Sequence, residues 1–151
     1  MKIYLILIFL IICASACQNK SNSEKKYDVV PLPKDDSTFL ALKDTAQAHL
    51  QTFIDSLNIH GKETADYRFG VKSDFIENGI HEHMWSQISR YDKGWFKGIF
   101  IDSAFDLKHI KTGDKVSVNR EAVEDWSVYN KVTGKMVGNY SLRYLNGKVR
   151  R

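Results

Sequence analysis

Tyr67-Arg68-Phe69-Gly70-Val71-Lys72-Ser73-Asp74-Phe75 changes the period of the chain. Tyr67, Phe69, Val71 and Phe75 alternate with Arg68, Gly70, Lys72 and Asp74, a repeat of two that describes a strand with one buried face. Downstream the pattern stays β. Glu77-Asn78-Gly79 breaks the run before a second strand, His81 to Tyr91, and Asp92-Lys93-Gly94 turns the chain back through Trp95 to Ile101 as a hairpin. Trp95 to Ile101 is apolar at positions on both faces. It is therefore expected to be covered on both sides, by a helix on one and a further sheet layer on the other. Thr112-Gly113-Asp114 leads into a strand from Lys115 to Val118, and Arg120 to Asp125 reads as one helical turn. Trp126 to Tyr129 and Met136 to Leu145 read as closing strands around Thr133-Gly134-Lys135.

Upstream of the change, apolar residues recur at helical spacing. Asp36 or Ser37 can cap a helix in which Phe39, Leu42, Ala46, Leu50, Phe53 and Leu57 form one stripe, and Gly61 stops it. The expected fold is α+β: one N-terminal amphipathic helix packed on a curved antiparallel sheet or small SH3-like barrel of about six strands.

The N-terminus reads as an export signal. Lys2 supplies a positive charge, Ile3 to Ile12 is apolar, and Ala14-Ser15-Ala16 provides small residues before Cys17. The apolar run is too short for a transmembrane helix, which needs roughly 20 such residues. Ala-Ser-Ala-Cys is similar to a bacterial lipobox, which implies cleavage after residue 16 and lipid on Cys17. Residues 17–35 then form the lipidated start and a flexible tether, polar from Gln18 to Lys26, and residues 36–151 a single domain. Cys13 leaves with the signal and Cys17 carries lipid, so the domain has no disulfide, thiol nucleophile or cysteine metal ligand. Its stability must come from a core within about 115 residues, a sufficient length.

The chain has 22 Lys and Arg against 18 Asp and Glu, a net charge of +4, and signs are interspersed as in Lys62-Glu63 and Asp92-Lys93. With export, that mixed surface argues against nucleic acid as a partner. The expected location is a bacterial membrane, with the domain facing the periplasm or the cell exterior, and the expected partners are the membrane through Cys17 and an envelope protein or other component.

His81-Glu82-His83 is the arrangement that suggests a metal, because residues two apart on a strand share a face and can present two imidazoles together. A third ligand would be His109 or a carboxylate such as Glu124 or Asp125. Strand alternation places Glu82 with Met84 and Ile88, and an acid on an apolar face needs a partner, either Arg143 or backbone N–H groups. Glu124-Asp125-Trp126 sets two acids beside an aromatic ring, suited to a sugar or cation, although Asp125 can equally cap a turn. Trp85, Trp95, Trp126 and Tyr140 can form an aromatic cluster or simply core. No G-x-S-x-G, phosphate loop, G-x-G-x-x-G or H-E-x-x-H occurs.

Val71-Lys72, Glu82-His83-Met84-Trp85, Gly98, Gly113-Asp114 with Val116, Asp125-Trp126, and Gly138 followed by Tyr140-Ser141-Leu142-Arg143 together resemble the YegJ-like domain of unknown function. The resemblance covers about residues 36 to 145. It implies a helix ahead of a sheet and an exported setting, and it brings no activity, cofactor or metal. By matching position it singles out Glu82, His83, Trp85, Asp125, Trp126, Tyr140 and Arg143 as a candidate ligand or partner patch. The expected function is a non-enzymatic, lipid-tethered binding module. The alternative is a small metal-dependent enzyme or hydrolase using His81, His83 and a carboxylate.

Overall fold

The computed structural model describes residues 37–149. The expected signal sequence and tether, with Cys13 and Cys17, lie outside the described residues. The elements run α1 (Ser37–Ala48), α2 (Leu50–His60), β1 (Tyr67–Glu77), β2 (Ile80–Asp92), β3 (Trp95–Phe100), β4 (Lys115–Asn119), a short 3-10 turn (Arg120–Ala122), β5 (Val123–Asn130), β6 (Met136–Gly138) and α3 (Tyr140–Val149). The six strands form one antiparallel sheet in the order β4-β3-β2-β1-β5-β6, curled into a half-barrel. The α+β architecture with a helix ahead of a curved sheet is the expected one.

Two tight turns set the register of the central strands. Asn78 and Gly79, at φ 50° and 78°, and Lys93 and Gly94, at φ 47° and 85°, are left-handed pairs of the kind that close two-residue hairpins without splaying their strands. They align Glu77 with Ile80 and Asp92 with Trp95. One face of the sheet then collects Phe69, Val71, Met84, Ile88, Phe96, Phe100 and Trp126, all buried. Phe53 of α2 sits at the centre, its ring 5.9 Å from Phe69, 5.5 Å from Phe96 and 5.6 Å from Trp126.

Four local expectations are corrected. The helical stripe is broken at His49, whose φ of −103° and ψ of 8° leave the helical region. Thr45 Oγ1 donates to Ala41 O at 2.8 Å and His49 Nδ1 to Thr45 O at 2.9 Å, and side chains that take helix carbonyls in this way bend the helix. As a result α2 lies under the sheet against β2 and β5, whereas α1 lies against β5 and α3. The second correction is β3, which is covered on one side: Phe96 and Phe100 are buried but Trp95 and Ile99 are exposed, and no second sheet layer is present among the described residues.

The third correction concerns the residues before Trp126. The helical turn ends at Ala122, and Val123 to Asp125 belong to β5. The fourth is the C-terminus, where the strand stops at Gly138 and a helix follows. Gly138 and Asn139 have φ of 76° and 57°, which turns the chain out of the sheet. Because β6 pairs with Ser127 to Tyr129, the first half of β5 has no strand on that side among the described residues. Helix α1 covers it: Gln47 Nε2 donates to Arg120 O and Val123 O, and Trp126 Nε1 donates to Ala46 O at 2.9 Å.

Candidate functional site

The residues named by the sequence separate into an open face, a loop tie and a buried corner. The open face is the side of the sheet away from Phe53. His81, His83 and Trp85 stand there on alternate positions of β2, with Asp74 of β1 directly opposite His83. His81 Nδ1 lies 2.7 Å from Asp74 Oδ2, and His83 Nδ1 reaches across β1 to Glu124 Oε2 at 2.6 Å. A bulge in β5 makes the second contact possible, since Lys72 pairs with Asp125 and Ser73 with Val123, leaving Glu124 as the extra residue. Lys43 of α1 approaches the other oxygen of Glu124 at 3.6 Å. Trp85 is half-buried, its indole packed toward Gly70, where a β-carbon would stand 3.3 Å from Cε3.

The hydrogen bond to Glu124 raises His83 above the usual imidazole range; partial burial works against it, while the charges of Glu124 and Asp74 add to it and Lys72 opposes them. An imidazole oriented through Nδ1 by a carboxylate suits metal ligation, proton transfer or a polar contact through Nε2. Among the described residues no three His, Cys, Asp or Glu side chains group to hold a metal ion, and His109 lies elsewhere, beside Glu77.

Glu82 faces the opposite way, onto the apolar side. Its carboxylate accepts from Phe105 N, Asp106 N and Leu107 N at 2.5, 2.9 and 3.1 Å, tying the long β3–β4 connection to β2. Burial pushes its carboxyl up, but the three amides together with Lys108 outweigh that and hold it below the usual range. Of the two partners open to Glu82, backbone amides are the ones it has. Arg143 instead donates to Met136 O at 3.1 Å.

Asp125 forms the buried corner. It is 1% exposed. Oδ1 accepts from Trp126 N and Tyr140 N, and Oδ2 from Ser141 N and Ser141 Oγ, so both oxygens are taken up at the start of α3. Trp126 is core, and Tyr140 stands edge-on to it at 5.8 Å. Burial, reinforced by Asp125 and opposed by Arg143, raises the Tyr140 hydroxyl above its ordinary value. Thus the structure brings His83 and Trp85 together on the open face, gathers Asp125, Trp126 and Tyr140 at the corner with Arg143 on the same helix, and leaves Glu82 on its own tie. Sequence reasoning missed Asp74 and Lys43. The Asn78-Gly79 turn was the available signal for Asp74, because that turn fixes the register that places it opposite His83.

No curated protein and no solved structure matches the chain. A family model described as an uncharacterized protein conserved in bacteria, DUF2314, matches residues 36–150, which takes in every element of the fold. The chain belongs to the DUF2314 family.

Proposed function

We propose that the protein is a non-enzymatic binding module of the bacterial cell envelope, exported and anchored by lipid on Cys17, whose recognition surface is the open sheet face around His83 and Trp85. One observation carries this reading: the carboxylates of Glu82 and Asp125, both in the candidate patch, are taken up by backbone amides and, at Asp125, by the Ser141 hydroxyl as well, while His83 and Trp85 on the open face remain accessible. A carboxylate that accepts three or four hydrogen bonds is a structural device with little capacity left to move a proton. An open sheet face with an indole, an oriented imidazole and a flanking lysine suits recognition of a polar envelope component.

The test is crosslinking of the full chain in its native envelope, comparing wild type with Trp85→Ala. Selective loss of one crosslinked partner supports the reading; an unchanged partner set removes this face from it. Trp126→Ala is unsuitable because it opens the core.

A second reading, a metal-dependent hydrolase using His81, His83 and a carboxylate, is favoured by one detail: both imidazoles contact carboxylates through Nδ1, as metal-ligating histidines commonly do. Zinc titration with thermal unfolding separates the readings, since a metal held by the folded state raises its stability by mass action. Indifference to zinc removes the second reading.

A further inference from the structure

On the open face of β2, β3 and β4 the register sets like charges opposite one another. Arg90 and Lys97 are directly opposite each other in the β2–β3 register. Across the next ladder Lys97 faces Ser117 and Ile99 faces Lys115, so Lys115 is diagonal to Lys97 and three adjacent strands each contribute a cation. Like charges set directly opposite destabilise a sheet. Among the described residues none of the three enters an ion pair. Asp92, in register with Trp95 on the same face, makes none with them either. The cations line an open groove of about 610 Å³ whose lining contains no carboxylate.

Local backbone builds the groove. The β2–β3 register shifts between Ile88 and Arg90, a bulge that leaves Ser89 unpaired, with its hydroxyl donating to Lys97 O at 3.2 Å. Gly98 lies so close to the Gln87 carbonyl that a side chain there would collide with it. Trp95 and Ile99 bracket Lys97 on the same strand face and are 43% and 40% exposed. Cations interleaved with an indole and an aliphatic side chain match the interface of an anionic bilayer, where phosphates meet the charges and the apolar groups enter the headgroup boundary. A soluble anion would use the cations but would leave Trp95 and Ile99 without a role.

We propose that Arg90, Lys97 and Lys115, with Trp95 and Ile99, dock this face on the phosphate surface of an anionic lipid bilayer. The inference rests on the envelope setting proposed above. It adds a second contact besides the lipid on Cys17, one that fixes the orientation of the domain. His81 and His83 lie toward the other end of β2 from Arg90, with Trp85 mid-strand, and belong to the partner surface proposed above.

The test uses purified full chain with vesicles of phosphatidylcholine alone or with phosphatidylglycerol, each containing lipid brominated near the headgroup. The signal is fluorescence quenching at Trp95, isolated by comparison with Trp95→Phe. Lys20, Lys25 and Lys26 of the tether can draw the chain to anionic vesicles, but they cannot place Trp95 against lipid. The expected result is Trp95 quenching on anionic vesicles only, abolished by salt and weakened about fivefold by Arg90→Gln or Lys97→Gln. Without lipid the same variants unfold at equal or higher temperature than wild type, because each relieves the opposed pair. Equal quenching on both vesicle types, or none while the chain floats with them, overturns the proposal. So does binding of inorganic polyphosphate to the groove without lipid contact, which assigns it to a soluble polyanion. Absent quenching with the Trp85-dependent crosslink intact removes only the docking; the converse removes only the partner surface.

Discussion

Asp125 on β5 and Ser141 in the first turn of α3 are joined twice, through Ser141 N at 2.8 Å and Ser141 Oγ at 2.6 Å. The acid caps a helix that begins 15 residues further along the chain, as the separation of Asp125 and Tyr140 shows. A capping side chain normally belongs to the residue just before the helix. Here Asn139 holds that place in a left-handed conformation, and Asn139 N donates to Trp126 O at 2.6 Å. Asp125→Ala leaves buried amides unsatisfied and should destabilise the domain by about 3 kcal/mol. Ser141→Ala removes a single bond and should cost about 1 kcal/mol. Denaturant unfolding of the two variants checks the order, and equal losses would show that the cap is not the source of the effect.

Glu82 predicts a local and pH-dependent effect. Its carboxyl is held below the usual range in the folded state, so its contribution is fully present above the unfolded value and is lost as pH falls through the lowered folded value. Glu82→Gln keeps one acceptor oxygen but sets an amide donor against backbone donors. At neutral pH it should cost about 1 kcal/mol and speed hydrogen exchange at Phe105, Asp106 and Leu107. In acid the difference between variant and wild type should shrink. An undiminished difference there, or unchanged exchange at the three amides, contradicts the tie.

His83 has the opposite sign. Its folded value is raised, first of all by Glu124, so the stabilisation is fully present below the unfolded imidazole value of about 6.5 and disappears as pH rises through the folded value. Wild type should therefore exceed His83→Gln in unfolding temperature most clearly below about pH 6.5, with the gap closing in alkali. Following the His83 ring by NMR, Glu124→Gln should lower its titration midpoint. An unmoved midpoint would assign the shift to some other group.

What the sequence conveyed about the fold depended on how local each determinant is. Alternation from Tyr67 to Phe75 and the Asn78-Gly79 and Lys93-Gly94 turns are encoded within a few residues, so the sheet could be read directly. The C-terminal helix could not, because Met136 to Leu145 resembles a strand until Gly138 and Asn139 turn the chain and Asp125 supplies a cap from another element. The bend at His49 and the bulge at Glu124 were hidden as well: the first depends on side chains bonding helix carbonyls and the second on how β5 pairs with β1, and neither leaves an apolar period. For the candidate site, alternation alone placed His81 and His83 on one face and Glu82 on the other. Asp125 and Trp126 read as possible ligands because an acid beside an aromatic ring looks the same whether it meets a ligand or a helix end. The facing Arg90 and Lys97 were implicit in the Lys93-Gly94 turn, but only once its register was carried inward past the bulge at Ser89.

Gly138 offers the sharpest test of the corner. Its φ is 76°, and a β-carbon there would collide with Trp126 O and stand 2.6 Å from Cε3 of the indole. Both the conformation and the space therefore demand glycine. Gly138→Ala adds strain to a clash with the buried ring and should destabilise the domain by roughly 3 kcal/mol or more, whereas Gly134→Ala, also at positive φ but with open space around it, carries the strain alone and should cost about 1 kcal/mol. Thermal unfolding of the two variants separates the contributions. Because Trp126 Nε1 donates to Ala46 O, displacing the indole should also loosen α1 and speed amide exchange there only in Gly138→Ala. Equal effects of the two substitutions would show that the Trp126 contact is not what requires glycine at Gly138.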